Sequence, residues 1–180
     1  MRYQTLFSLL FVFIFTGCGP SAPKISIYEA VERGDIKTLK EHLEFGSDIN
    51  AKKDGMTSLH ATVWFGHIEL AKLLISEGAD VEAKCAGMTS LRMVASSGKI
   101  ELVKFLIAAG ANVNARNKED ATPLHLAAVN GIEEVCELLI SDEADLKAVA
   151  VNDHTPLSLA TVQGNREVVI LLRRHLASRR

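Results

Sequence analysis

A ten-residue phrase occurs four times in this chain. It reads TPLHLAAVNG at 122–131, and related copies stand at 57–66, 89–98 and 155–164. The copies follow one another with a nearly constant spacing. A regular spacing on this scale is typical of proteins that stack small similar units, each of which covers the apolar face of the next. The chain is therefore expected to fold as a repeat array.

Other markers share the spacing of the phrase. One set consists of the glycines that end the four phrases, together with a glycine one period before the first phrase. These are Gly34, Gly66, Gly98, Gly131 and Gly164. Another set recurs in step with it and consists of Gly46, Gly78, Gly110 and Glu143. These markers divide the chain into five units, of which the first and last are caps. The units are 27–53, 54–85, 86–118, 119–151 and 152–180.

The phrase itself contains the signals that start and stop a helix. Thr122 can accept a hydrogen bond from a backbone N–H of the first turn, and Pro123 suits the first helical position because its missing N–H has no partner there. Gly131 suits the left-handed residue that commonly follows a helix. Each copy of the phrase therefore predicts one short helix.

The segment after each phrase predicts a second helix. In 66–78 and 98–110 the apolar residues lie on more than one side of the helix, so neighbours must cover it on both flanks. At corresponding places the end units carry polar residues, namely Thr38, Glu41 and His42 in the first and Arg166, Arg173 and Arg174 in the last. These residues are expected to face the open ends of the array.

The repeated phrases resemble the ankyrin repeat, and the resemblance covers residues 27–180. It implies an all-α repeat solenoid of helix-turn-helix units, each with a β-hairpin finger, and about five units including the caps. It also implies a protein partner, because members of this family bind proteins through the finger tips and the two residues before the glycine that closes the phrase.

Carried onto this chain, the resemblance implies a set of partner-binding residues. The set comprises Met56, Trp64, Phe65, Met88, Ser96, Ser97, Val129 and Asn130. Trp64 is the only tryptophan, and large exposed aromatic residues are enriched among binding hot spots. The alternative is that Trp64 or Phe65 packs inward to compensate for a short finger.

The chain departs from the family pattern at several places. The first two fingers, between Gly46 and Thr57 and between Gly78 and Thr89, are one residue shorter than the third. The tips of these fingers are expected to be reshaped. Arg92 replaces the histidine of the phrase, which puts the usual hydrogen bonding of the third unit in doubt.

The N-terminus predicts a secretory signal. Arg2 is followed by a largely apolar run from Leu6 to Phe15, which is shorter than the roughly 20 residues of a membrane-spanning helix. The motif FTGC that follows resembles the lipobox of bacterial lipoproteins, although Phe15 stands where leucine is usual. We expect residues 1–17 to be a signal peptide and Cys18 to be lipidated. An ordinary signal peptide or an uncleaved anchor remains the alternative.

Residues 18–26 are then a lipidated cysteine and a linker that contains two prolines. The lipid would hold the repeat domain, 27–180, to a membrane without embedding it. Gly19, rather than Asp, after the cysteine resembles an outer-membrane sorting signal. The expected location is the cell envelope, at the periplasmic face of the outer membrane.

The sequence contains no pattern that indicates catalysis. His60 and His125 belong to the repeated phrase and resemble its structural histidine, and the other histidines have no metal-ligand spacing. No phosphate-binding loop or nucleophile motif is present, and the net charge of −2 argues against a nucleic-acid partner. We expect no enzyme activity, no cofactor, no metal and no small-molecule substrate. Cys136 is expected in the core and no disulfide with Cys85 is expected.

These features predict a non-catalytic protein–protein interaction module that is tethered to the cell envelope. An inhibitor or immunity protein that occludes a toxin or an envelope enzyme is the main alternative. A structural spacer without a specific partner is a third possibility.

Overall fold

The computed structural model describes residues 22–178. The predicted signal peptide, Cys18, Arg179 and Arg180 lie outside this range. The described elements are α1 (Ile27–Glu32), α2 (Ile36–Glu44), β1 (Lys52–Lys53), β2 (Met56–Thr57), α3 (Ser58–Phe65), α4 (Ile68–Ser76), α5 (Ser90–Ser97), α6 (Ile100–Ala108), α7 (Pro123–Val129), α8 (Glu133–Ser141), a 3₁₀ segment (Val151–Asp153), α9 (Pro156–Gln163) and α10 (Arg166–Ser178).

The helices form two layers. The first helices of the five units, α1, α3, α5, α7 and α9, are called the phrase helices. They pack against one another in that order, and each also packs against the helix that follows it in the chain. The second helices of the units, α2, α4, α6, α8 and α10, form the other layer. In this layer α2 packs on α4, α6 on α8, and α8 on α10. The predicted fold class, a helix-turn-helix repeat solenoid with five units, is confirmed.

The phrase helices begin at the predicted threonines. The Oγ1 atoms of Thr57 and Thr89 accept hydrogen bonds from the backbone N–H three residues later, and Thr155 does the same with Ser158. Gly66, Gly98 and Gly164 follow the helices in the left-handed conformation. Because these bonds join residues only three apart, the same local signal starts the phrase helix in the second, third and fifth units.

A row of leucines forms the core between the two layers. Leu59, Leu91 and Leu124 occupy the same position in three consecutive phrase helices, and all three are fully buried. The second helices contribute Leu74, Leu106 and Leu139, which are buried to the same extent. Each side chain lies among residues of its own unit and its neighbours, so no unit could bury its apolar face alone.

The fingers are shorter than complete β-hairpins. In the first finger β1 pairs with β2 in antiparallel register, whereas the second has a single bridge between Cys85 and Met88. Both use a two-residue turn in which each central residue has a positive φ, with Asp54 and Gly55 in the first. A two-residue turn of this kind joins antiparallel strands closely, and it explains the residue missing from these fingers.

The N-terminal cap differs from expectation at His42. We expected this residue to face the open end of the array, but its side chain is buried. Its Nε2 atom lies 2.8 Å from the Ile25 carbonyl oxygen and its Nδ1 atom 3.0 Å from Ser47 Oγ. His42 therefore fastens the end of the linker to α2, and burial is compatible with its polarity because both ring nitrogens have partners.

The described part of the chain has two further general properties. Each helix within residues 22–178 is too short or too polar to cross a membrane. Cys85 and Cys136 are both free thiols, and Cys136 is buried in α8 as predicted.

Candidate functional site

An apolar groove lies between the first three units, on the side of the solenoid where the fingers meet the phrase helices. Its volume is about 410 Å³. The residues that line it are Tyr28, Glu32, Lys53, Asp54, Met56, Ala61, Trp64, Phe65, Cys85, Met88 and Met93. Four of these, Met56, Trp64, Phe65 and Met88, were predicted from the sequence, and the structure brings all four together.

Trp64 and Phe65 form one wall of the groove. They are the last two residues of α3, and 64% of the Trp64 surface and 45% of the Phe65 surface are exposed. The alternative in which either ring packs into the core is therefore not realised. The Phe65 ring stacks on the His67 ring with 6.1 Å between the centroids, which restricts its orientation.

The space between the aromatic wall and the fingers exists because of Ala61. This residue occupies the position at which the other phrase helices carry Met93, Leu126 and Leu159. A larger side chain at Ala61 would extend into the groove that its methyl group now lines. The small residue in the second unit thus leaves room that a ligand side chain could fill.

The opposite wall is built by two fingers. Met56 lies in β2 beside Lys53, and Met88 forms the bridge with Cys85 in the next finger. The carbonyl oxygen of Met88 lies 3.2 Å from His60 Nε2, so the phrase helix of one unit holds the finger of the next. Methionine side chains are flexible and polarisable, and such a wall can adapt to different apolar partners.

Tyr28 links α1 to the first finger at the edge of the groove. Its hydroxyl lies 2.7 Å from the Ala51 carbonyl oxygen and 2.8 Å from that of Met56, and it shares one proton between them. Burial is the main reason why the pKa of Tyr28 is raised above its ordinary value. The Lys53 Nζ atom lies 5.7 Å from the centre of the Tyr28 ring, so a cation stands at the rim.

The remaining predicted binding residues do not line this groove. Ser96 and Ser97 lie at the end of α5 and line a smaller hollow that shares Trp64 and Met93 with the groove. Val129 and Asn130 lie at the end of α7, outside the groove. The Asn130 amide donates to the Leu126 carbonyl oxygen of its own helix at 2.9 Å.

Sequence reasoning missed several groove residues. Tyr28, Ala61, Cys85 and Met93 were not among the predicted binding residues, although they line the same space. For Ala61 a signal was present, since an alanine replaces a larger residue at a repeated position. Tyr28 gave no such signal, because its place in the groove depends on its contact with the first finger, which lies beyond α2 in the chain.

The two phrase histidines are structural, as predicted. In the second unit the Thr57 hydroxyl lies 2.7 Å from His60 Nδ1, and in the fourth the Thr122 hydroxyl lies 2.9 Å from His125 Nδ1. The backbone N–H of Thr122 also donates to Nδ1, so the proton of the neutral ring sits on Nε2. Burial lowers the pKa of both histidines below the ordinary value.

A larger hollow of about 660 Å³ lies at the N-terminal end, between residues 22–25 and α2. Its lining is rich in charges, including Asp35, Lys37, Glu41 and Glu44, and it lacks an aromatic anchor. The smaller apolar groove is the better candidate for recognition, because apolar hollows with a few polar groups are typical of binding sites. Within residues 22–178 no group of three or more His, Cys, Asp or Glu side chains is arranged to hold a metal ion.

The comparison with known families agrees with this architecture. A family model described as ankyrin repeats in three copies matches residues 27–117 and again residues 94–178. No curated protein matches the chain. Ankyrin repeats are generally non-catalytic modules for binding other proteins. The two matches together span nearly all of the described residues, and the chain belongs to the ankyrin repeat family.

Proposed function

We propose that this protein is a non-catalytic binding module, tethered to the bacterial cell envelope through a lipid on Cys18, that recognises a protein partner through the apolar groove. The observation that carries the proposal is the exposure of Trp64 and Phe65 beside the methionines of two fingers. A large exposed apolar cluster on a folded surface indicates a contact site.

The groove has the properties of an interaction hot spot. Tryptophan and tyrosine are enriched at such sites, and truncation of a hot-spot residue typically costs about 2–4 kcal/mol of binding free energy. The groove walls come from helices and fingers that are joined by hydrogen bonds between units, such as the bond from His60 to the Met88 carbonyl. Because the walls are already held in place, little ordering of this protein would oppose binding.

The proposed tether rests on the sequence FTGC and on the linker that follows it. The linker reaches the folded domain near Ile25, whose carbonyl oxygen is held by His42. A lipid at Cys18 would thus be separated from the first helix only by the short linker, which keeps the solenoid close to the membrane surface. Gly19 supports sorting to the periplasmic face of the outer membrane.

The binding proposal is tested by affinity capture from envelope extracts, comparing the wild type with a Trp64→Ala, Phe65→Ala double variant. The matched control is Val162→Ala, Gln163→Ala, which alters the exposed pair at the same positions of the fifth unit. We expect a partner that the wild type and the control capture and the groove variant loses. Equal capture by all three proteins would remove the groove from the binding site.

Trp64 offers a direct readout for the same complex. It is the only tryptophan in the chain, so the protein's tryptophan emission reports on the groove. A partner that covers the indole should shift the emission to shorter wavelength. If the captured partner is an enzyme or toxin, its activity in the complex decides whether this protein scaffolds or inhibits it.

The tether is tested separately with Cys18→Ser. We expect the wild type in the membrane fraction with an acylated N-terminal cysteine in mass spectra of its peptides. The Cys18→Ser variant should lack the acyl group. If residues 1–17 are still cleaved off, it should leave the membrane fraction; if they are not cleaved off, it should keep residues 1–17. An unmodified Cys18 in the wild-type protein would contradict the tether without affecting the binding proposal.

A further inference from the structure

Side chains at one repeated position of the phrase helices tie each unit to the next at three of the four junctions. This position lies six residues before the glycine that follows the helix, and it is occupied by Tyr28, His60, Arg92 and His125. Tyr28 Oη, His60 Nε2 and His125 Nε2 lie 2.8, 3.2 and 3.1 Å from the carbonyl oxygens of Met56, Met88 and His154. Each of these carbonyl groups belongs to the following unit, directly before the threonine that starts its phrase helix. The first, second and fourth junctions therefore each have one hydrogen bond at this place.

Arg92 does not tie the third unit to the fourth in this way. Its Nη1 atom donates to the Gly87 carbonyl oxygen of its own unit at 3.3 Å, and its Nε atom is buried without a hydrogen bond. Only 2% of its surface is exposed, and it forms no ion pair with any residue that the structure describes. A buried cation without an acidic partner is destabilising. The third junction thus lacks the bond and holds an uncompensated charge instead.

The charge of Arg92 lies close to the fourth unit. Burial is the main reason why the pKa of His125 is lowered, and the positive charges of Arg116 and Arg92 lower it further. Burial also lowers the pKa of Arg92, which the charge of Glu119 in the fourth unit raises in part. The unpaired cation therefore weakens the junction between the third and fourth units.

A second row of ties fails at the same junction. The residue after the glycine that follows each phrase helix is His67, Lys99, Ile132 or Asn165 in units two to five. His67 Nε2, Lys99 Nζ and Asn165 Nδ2 lie 3.3, 3.0 and 2.8 Å from the carbonyl oxygens of Glu32, Val63 and Ala128 in the unit before. Ile132 stands at the third junction, and its hydrocarbon side chain can only pack, with Cγ2 3.5 Å from the place of a β-carbon on Gly98. Both rows are thus interrupted between the same two units.

The third junction keeps its bonds at the bases of the fingers. The Asp145 backbone N–H donates to Asn114 Oδ1 at 2.8 Å, as the Asp80 N–H does to Asn50 Oδ1 at the first junction. Arg116 also donates to the Val149 carbonyl oxygen at 3.3 Å. The third and fourth units are therefore joined by directional bonds along one edge, whereas the contact between their phrase helices has lost its ties.

The other contacts at this junction allow rotation. Helix α5 packs on α7 and α6 packs on α8, and apolar packing of this kind is not directional. The Lys104 Nζ atom lies 3.8 Å from a carboxylate oxygen of Glu134, but both side chains are largely exposed, and an exposed pair of this kind contributes little. A small change of angle between the units would break none of the bonds at the finger bases.

We propose that the junction between the third and fourth units is a hinge, at which units 4–5 rotate relative to units 1–3 about the finger bases. The groove lies entirely within units 1–3, so the rotation leaves its walls together. It changes the position of Val129 and Asn130, at the end of α7, relative to the groove. Only one consequence rests on the proposed function, namely that a partner in the groove meets the fourth unit at an adjustable angle.

The test measures distances between pairs of spin labels by electron paramagnetic resonance in the full-length protein in detergent. Labels on Glu101→Cys and Glu167→Cys span the third and fourth junctions. Labels on Lys37→Cys and Glu101→Cys span the first and second junctions and form the matched control. The three residues are exposed and occupy the same position in their units, so the two pairs differ mainly in the junctions between them.

The native cysteines do not interfere with this labelling. Cys18→Ser and Cys85→Ser remove two thiols from the chain in both labelled proteins. Cys136 is buried and can remain, because a buried thiol with a raised pKa reacts slowly.

We expect the distance distribution across the third junction to be about twice as wide as that of the control pair, because a hinge samples several angles. This result does not depend on a partner, on lipidation or on a second variant. Equal widths for the two pairs would overturn the proposal.

The double variant Arg92→His, Ile132→Asn tests the cause. It gives the third junction the histidine of His60 and His125 and the amide of Asn165, which form the ties elsewhere. We expect it to narrow the distribution across the third junction to the width of the control pair and to leave the control pair unchanged. A distribution that stays wide in the folded variant would overturn the proposal, since the missing ties would not be its cause. If the variant does not fold, the comparison of the two label pairs decides alone.

The hinge and the binding site fail in distinguishable ways. The Trp64→Ala, Phe65→Ala variant should keep both distance distributions, because neither residue lies at the third junction. Absence of a captured partner together with a wide distribution would count against the binding proposal only. Capture of a partner by a protein whose two label pairs are equally narrow would overturn the hinge only.

Discussion

Lys99, in the third unit, binds the end of the helix that carries Trp64. Its Nζ atom donates to the Val63 carbonyl oxygen at 3.0 Å and also to the Trp64 carbonyl oxygen. In the last unit Asn165 makes the same type of contact, with its amide donating to the Ala128 and Val129 carbonyl oxygens at 2.8 and 3.0 Å. In both units the residue after the closing glycine thus joins its own unit to the phrase helix of the unit before it.

Replacing Lys99 should loosen this junction. We expect Lys99→Met to lower the free energy of unfolding by about 1–2 kcal/mol, because two hydrogen bonds to helix-end carbonyls are lost. The matched control is Lys99→Asn, which copies Asn165 and should retain most of the stability. Denaturant unfolding of the three proteins measures the difference. Equal stability of Lys99→Met and the wild type would show that the contact contributes nothing.

The phrase histidines should make the protein sensitive to mild acid. Burial lowers the pKa of His60 and His125, so the unfolded chain binds protons more readily than the folded one. Their contribution is fully present above the ordinary histidine pKa of about 6.5 and is lost as the pH falls below it. Each histidine can remove up to about 1.4 kcal/mol per pH unit in this range.

The measurement is the free energy of unfolding between pH 8 and pH 5. The wild type should lose stability steadily below about pH 6.5, whereas a His60→Gln, His125→Gln variant should be less stable at pH 8 but change less with pH. Constant wild-type stability over this range would contradict the burial of neutral imidazoles.

Gly131 and Gly164 form a matched pair for testing close contact between units. Both have positive φ values, 71° and 76°, so alanine should cost about 1–2 kcal/mol at either position through backbone strain. A β-carbon on Gly131 would also lie 2.8 Å from Asn165 Oδ1, whereas one on Gly164 would meet nothing within 4 Å.

Gly131→Ala should therefore be the more destabilising variant, by about 1–2 kcal/mol, because the Asn165 amide must leave its two carbonyl partners to make room. Thermal or denaturant unfolding of both variants gives the comparison. Equal losses at the two glycines would mean that Asn165 moves without consequence.

The two cysteines of the solenoid should differ in reactivity. Burial, reinforced by Glu133 and Glu137, raises the pKa of the Cys136 thiol to about 12. Cys85 is only partly buried, at the rim of the groove. Because the thiolate is the reactive form, iodoacetamide at pH 8 should alkylate Cys85 in the folded protein and Cys136 only after unfolding. Peptide mass spectrometry against time measures both rates, and comparable rates in the folded state would contradict a buried Cys136.

Much of the fold could be predicted from the sequence because the signals are local. Thr57 and Thr155 start their helices through bonds to residues three positions away, and the period of the phrase places each helix in the next unit. Local spacing was not sufficient at His42. Its burial depends on Ile25 in the linker, and a polar residue in an end unit looked like a solvent-facing one.

The candidate groove was predicted only in part. Trp64, Phe65 and the two finger methionines follow from their positions in the repeat, but the space between them does not. It depends on the small Ala61, on Tyr28 from the unit before and on Met93 from the unit after.

The sequence by itself determined the number of units, because the phrase recurs with a regular period, and the starts of most phrase helices, because these depend on hydrogen bonds between residues three positions apart. Only the tertiary structure decided that an apolar groove opens beside Trp64 and that Arg92 is buried with its Nε atom unpaired. Both features arise where side chains from successive units meet, since each unit is completed by its neighbours.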